Sequence, residues 1–119
     1  MTTIPLPWTA APISANRGRN DRYVYAAKVR KVKGEAITAI RAADPRPVST
    51  AIVTLHQRVT TWHRRDVDNL FAVLKPALDA LVFCGVLPDD SLRHVPAATC
   101  RIHPPNGEPA AMWLTIEAV

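Results

Sequence analysis

The sequence predicts an α+β domain of two layers, a mixed four-stranded sheet covered by two helices in the order β-α-β-α-β-β. Three observations lead there. Two segments, about 21–43 and 69–83, repeat apolar residues at helical spacing; a β-branched run, 48–60, lies between them; and two alternating segments close the chain after the second helix. With 119 residues, 48% hydrophobic and 21% charged, the chain has the size and balance of one domain, residues 1–119, that buries a core without disulfides.

Each element rests on its own signal. Residues 3–8 alternate loosely, and Pro5 and Pro7 confine any strand there to an edge. Residues 9–20, with Pro12, Ser14, Asn16 and Gly18, read as a loop or basic arm. In the first helix Tyr23, Ala26, Ala27, Val29, Ala36, Ile37 and Ile40 form the apolar set, Gly34 marks a weak point or bend, and Asp44-Pro45-Arg46-Pro47 ends the helix. The run 48–60 sets Ile52, Thr54 and His56 against Val53, Leu55 and Gln57; both faces are partly apolar, as expected of a strand inside a sheet. The second helix carries Leu70, Val73, Leu74, Ala77, Leu78, Leu81 and Val82, with Gly85 placed to cap it. A third strand over 94–103 and a fourth over 112–118 are expected to pair as a hairpin across the turn Pro104–Gly107.

Charge is unevenly spread. The net charge is +5, but residues 1–65 carry twelve Lys/Arg against three acids, and residues 66–119 carry three against seven. A basic segment joined to an acidic cluster suits an enzyme acting on a polyanion, with cations for phosphates and carboxylates for a metal; a solvated basic surface with no particular ligand is the plainer alternative. Cys84 and Cys100 have no metal-ligand spacing, which fits a reduced, cytoplasmic setting, and neither a membrane span nor a signal peptide is expected.

The candidate chemistry lies in Arg65-Asp66-Val67-Asp68-Asn69, where strand hands over to helix. In extended chain, residues two apart point the same way, so Asp66 and Asp68 can face one ion; Asp89 or Asp90, returning after the second helix, can join them. Mg²⁺ takes a few carboxylates, retained waters and phosphate oxygens, and there it polarises a scissile phosphate and activates water. Lys75 falls near one helical line with Asp68 and Asp79, facing that site or forming an ordinary surface pair with Asp79. Helix capping by Asp68 and turn formation by Asp89 and Asp90 are compatible structural roles. The four histidines share no ligand spacing, and Trp8, Trp62 and Trp113 are expected to anchor the core or an interface, with Trp62, beside His63, Arg64 and Arg65, also able to touch DNA.

The stretch Arg65-Asp66-Val67-Asp68-Asn69-Leu70, then Lys75, Leu78-Asp79-Ala80-Leu81, Gly85-Val86-Leu87 and Asp89-Asp90, together with the early Pro12-Ile13-Ser14-Ala15-Asn16, resembles the RusA-type Holliday junction resolvases. The resemblance implies a homodimeric, Mg²⁺-dependent endonuclease, with Mn²⁺ a possible substitute and no organic cofactor. It would resolve four-way junctions and other branched DNA by paired symmetric nicks, in recombination and repair or phage DNA processing. It places the catalytic, metal-binding aspartates on Asp66, Asp68 and Asp90 and the functional lysine on Lys75. One departure is the interval from second aspartate to lysine, seven residues here against four in the family's short form, a shift of about 4.5 Å along a helix. Pro76 suggests that the helix breaks near Lys75. Arg17, Arg19, Arg22, Lys28, Arg30, Lys31 and Lys33, with Arg64 and Arg65, are the expected DNA contacts, mainly to phosphate. The competing readings are a DNA-binding module that does not cut, and a metal-dependent nuclease or phosphotransferase on RNA or plain duplex.

Overall fold

The computed structural model describes residues 1–14 and 22–119. Along the chain run β1 (Thr2–Pro5), α1 (Arg22–Ala43), β2 (Ala51–Arg58), a 3₁₀ turn (Val67–Leu70), α2 (Phe71–Phe83), β3 (Ala97–His103) and β4 (Ala111–Ala118). This is the expected α+β order. The sheet order is β1-β4-β2-β3, with β4 antiparallel to both β1 and β2, and β3 parallel to β2.

Alternation gives the sheet two unlike faces. On the helix side one row runs across all four strands through Ile4, Leu114, Leu55 and Cys100, and the first three are fully buried. Val53, Ile116 and Met112 extend this face. β2 does lie inside the sheet, as its two half-apolar faces predict.

The expected hairpin between the last two strands is not formed. β3 pairs with β2 alone, and β4 lies on the far side of β2. The connection after His103 crosses the end of β2, where Arg58 Nε donates to Pro109 O at 2.9 Å and Val59 N to His103 O at 3.2 Å. The long return through α2 lets β3 lie parallel to β2, and the seven residues between β3 and β4 suffice to step over one strand. The third strand also starts later than expected: His94 and Val95 belong to a turn closed by Ser91 O, at 3.0 and 2.8 Å.

α1 buries Val32, Ala36 and Ile40, with Val29 and Ile37 alongside. This stripe starts later than the sequence suggests, because Tyr23 and Val24 are exposed and Ala27 faces outward. Gly34 is accommodated without interrupting the helix. Asp44 ends α1 in the left-handed region, φ 48°, with its N–H on Ile40 O at 2.9 Å.

α2 buries Val73, Leu74, Pro76, Ala77, Leu78, Ala80 and Leu81 against α1 and the sheet. The helix does not break at Lys75: it is continuous through Pro76. A proline costs a helix about 3 kcal/mol, and here its ring is buried among six other buried side chains of the same helix, whose packing outweighs that cost. Gly85, φ 77°, closes α2 by sending its N–H to Val82 O at 3.0 Å while Val86 N reaches Leu81 O at 2.9 Å, the paired bonds of a left-handed helix terminus. Among the described residues no helix is long and apolar enough to cross a membrane.

Candidate nucleic-acid and metal site

Beyond β2 the chain runs as an exposed loop, 60–66, into the 3₁₀ turn that leads α2. Arg65 shapes this loop: its guanidinium donates to Thr61 O at 2.8 Å, His63 O at 2.9 Å and Thr61 Oγ1 at 2.9 Å. Most of its donor capacity is thus committed to the protein rather than offered to a ligand. Arg64 differs, with its side chain 91% exposed and its Nε 3.7 Å from Asp66 Oδ1.

Asp66 is extended, φ −105° and ψ 128°, but Asp68 already lies in the 3₁₀ turn, so the two do not project by strand alternation as expected. They are nevertheless neighbours on one open groove of about 930 Å³, bordered also by Trp62, His63 and Val67. Trp62 is 80% exposed there, so it is not a core anchor; Trp8 is one, while Trp113 is half-buried on the sheet. Asp66 also borders a smaller recess of about 220 Å³ with Gln57, Arg64 and Asn69. Neither aspartate supplies a side-chain cap: the residue at the cap position is Asp66, and its carboxylate makes no capping hydrogen bond.

Asn69 ties this turn to the start of the chain. Ser14 Oγ donates to Asn69 Oδ1 at 3.1 Å, and Tyr25 donates to Ser14 O at 3.4 Å. The Pro12–Ser14 segment and the Asp-x-Asp-Asn segment, both singled out by sequence, therefore meet.

Asp90 has a different neighbour. Lys75 Nζ lies 2.7 Å from its Oδ2 and 2.9 Å from Asp79 Oδ1. The hydrogen bonds that Lys75 donates to Asp90 and Asp79 raise its pKa above the usual lysine value, favouring the ammonium form. These groups line a recess of about 320 Å³ with Lys33, Phe83 and Asp89. The Asp89 carboxylate is turned to the backbone and side chain of its own turn, and hydrogen bonding to Ser91 lowers its pKa, the turn-forming role expected of it. Among the described residues no group of three His, Cys, Asp or Glu side chains is gathered closely enough to hold an ion. Instead Asp66 and Asp68 border the groove, and Lys75 pairs with Asp90 on the recess.

The basic residues divide similarly. Arg17 and Arg19 lie outside the described residues. Arg22, Lys28, Arg30 and Lys31 are exposed on α1. Lys33 is half-buried, its Nζ 5.5 Å from the centre of the Phe83 ring, which also receives Arg41. It therefore belongs to the Lys75 recess more than to an open phosphate-binding face.

A second cluster was not anticipated from the sequence. On the open side of the sheet His56 Nδ1 is 2.8 Å from His103 Nε2, and His56 Nε2 is 2.8 Å from Thr115 Oγ1. The signal lay in strand register: His56 is the cross-strand partner of Trp113 and Arg101, a relation invisible until β4 is placed beside β2.

No family model matches the chain, and no curated protein matches it. The site is therefore read from its own chemistry.

Proposed function

We propose that the protein is a Mg²⁺-dependent endodeoxyribonuclease that cuts branched DNA, resolving four-way junctions by paired nicks as a homodimer. The observation that carries the proposal is the placement of Asp66 and Asp68 on one open groove lined also by Trp62, Arg65 and Arg101, with Arg64 Nε 3.7 Å from Asp66. The likeness of Arg65–Asp90 to the RusA-type motif supports it.

The donor set fits the ion in one respect: Mg²⁺ is commonly held by only one or two carboxylates, completing its shell with water and substrate phosphate oxygens. Asp66 and Asp68 would hold it, and when bound it supplies a polarised phosphate and a more acidic water. Arg64 neutralises charge beside Asp66 and lets a phosphate approach two carboxylates. The ion pair with Lys75 holds the Asp90 carboxylate in one direction on the recess beside α2. Trp62 offers a flat apolar surface to an unpaired base at a branch point. The exposed cations of α1 hold the DNA arms through their phosphates. Two symmetric sites in a dimer would match the two-fold symmetry of a four-way junction. Cys84 and Cys100, both free thiols, agree with action in the cytoplasm.

The test is cleavage of a synthetic four-way junction with Mg²⁺ or Mn²⁺, beside EDTA, linear duplex and RNA controls and the Asp68→Asn and Asp90→Asn variants. Symmetric nicks that vanish with EDTA or either substitution, while junction binding persists, are the expected result. Binding with no cleavage in either metal would make the protein a non-catalytic binder of branched or single-stranded DNA. Equal cutting of linear duplex or RNA would leave a nuclease and remove the junction.

A further inference from the structure

The side of the sheet away from the helices carries a pattern that the cleavage reading does not use. One row places threonine on every strand, Thr3, Thr115, Thr54 and Thr99. The next row runs Pro5, Trp113, His56 and Arg101, and beyond it Arg58 is paired with His103.

Within this surface the rings are ordered. His56 and His103 have centroids 5.0 Å apart and share a hydrogen bond of 2.8 Å. A ring-to-ring hydrogen bond lies near the ring planes, so the two imidazoles meet at their edges, inclined by 22°. Trp113 is parallel to His56 within 2° and to His103 within 21°, at 5.1 Å from each. Arg58 lies over Trp113 at 5.4 Å, anchored by its bond to Pro109 O. Among the described residues at the outward positions of the four strands, Glu117 is the one acid, and it stands two rows from the rings.

We propose that this open face is a second binding surface, and that its ligand is single-stranded nucleic acid. Bases pack on the Trp113, His56 and His103 rings, and phosphates are held by Arg58 and Arg101. Four-stranded sheets with aromatic rings on an open face accommodate two or three bases this way, because every base has a π-face and stacking is indifferent to sequence. The four strands span about 14 Å at their usual spacing, the width of such a run. Charge selects this ligand over others. Two guanidiniums beside the imidazoles oppose a metal cation there, and a second copy laid face to face would set arginines against arginines. A polyanion meets neither penalty. Arg101 also lines the groove of Asp66 and Asp68, so the two surfaces join there; the proposal uses none of Asp66, Asp68 and Asp90, and binding in EDTA tests it apart from cleavage.

Thr54 sits at the centre of the face, and its substitution reads the field there. Binding of labelled oligo(dT) and oligo(U), each about 15 nucleotides long, is followed by fluorescence anisotropy in EDTA, where no cleavage intervenes. Thr54→Glu is expected to weaken both about tenfold, and Thr54→Lys to bind at least as tightly as the parent chain. Trp113→Leu, with folding checked by thermal melting, is expected to lose about tenfold through stacking. A ratio between the two oligonucleotides identifies DNA or RNA as the preferred form. Equal binding by parent, Thr54→Glu and Thr54→Lys overturns the proposal. So does a dimer, seen by sedimentation, that both Thr54 substitutions dissolve while oligonucleotide binding is untouched, since the face would then belong to a second copy.

Discussion

Lys75 Nζ contacts Asp90 Oδ2 at 2.7 Å and Asp79 Oδ1 at 2.9 Å, so one ammonium joins the middle of α2 to its last turn and to the turn that follows. The side chain is two-thirds exposed, and such pairs contribute at most about 1 kcal/mol. On the proposed cleavage reading, Lys75→Met is therefore expected to shift the denaturation midpoint only slightly while lowering junction cleavage by about a hundredfold, through loss of the fixed direction of Asp90. Parallel urea titration and single-turnover cleavage check both halves. A large stability loss with proportionate loss of activity would make the lysine structural.

Ser14→Ala removes the 3.1 Å bond to Asn69. The expected cost is about 1 kcal/mol, felt locally. Hydrogen exchange should accelerate at Asn69, whose N–H is bonded to Asp66 O, and at neighbouring positions of the 3₁₀ turn, with β2 and β4 unchanged.

Gly34 is exposed in mid-α1, and a Cβ added there meets nothing within 4 Å. Gly34→Ala is expected to stabilise the protein by up to about 1 kcal/mol, by restricting the unfolded chain and favouring helix. Thermal melting measures it. A lower melting temperature would mean that the helix needs the glycine.

Burial, then His103 and Arg101, lower the pKa of His56; burial, then Arg101 and Arg58, lower that of His103. Folding thus favours the neutral rings. Their contribution is fully present above the ordinary histidine value of 6.5 and is lost as pH falls through the lowered folded values. The melting temperature should be lower at about pH 5 than at about pH 7.5. His56→Gln and His103→Gln should each flatten that difference.

Burial raises the Cys100 thiol to about 11. Since the thiolate is the nucleophile, Cys100 in a Cys84→Ser background should react with iodoacetamide at about pH 8 some two orders of magnitude slower than an unperturbed thiol. Unfolding in denaturant should abolish the difference.

Local pattern carried the elements and not their neighbours. The α2 stripe was legible because helical spacing is a property of adjacent residues, and Gly85 announced its own turn. The place of β4 is not legible, because a seven-residue connection is compatible with a hairpin or with a step across one strand, and only the packed sheet decides. Pro76 looked like a break because its cost is local while its compensation, burial against α1 and the sheet, is not. At the candidate site Asp66 and Asp68 were legible as neighbours in sequence. The partner of Asp90 was not, since the turn 84–90 could have carried the carboxylate to the groove or to Lys75. The histidine cluster was hidden for the same reason as β4: its members lie on three strands.

The strand at the middle of the sheet's antiparallel half is also the last of the four in chain order. β4 fills the place between β1 and β2, so a chain halted before Ala111 has two strands with bare hydrogen-bonding edges and no seat for Ile4 beside Leu114. The sheet therefore cannot close until β4 has left the ribosome. A chain that stops short of β4 is denied a finished scaffold, so completion of the sheet is written into the order of its strands.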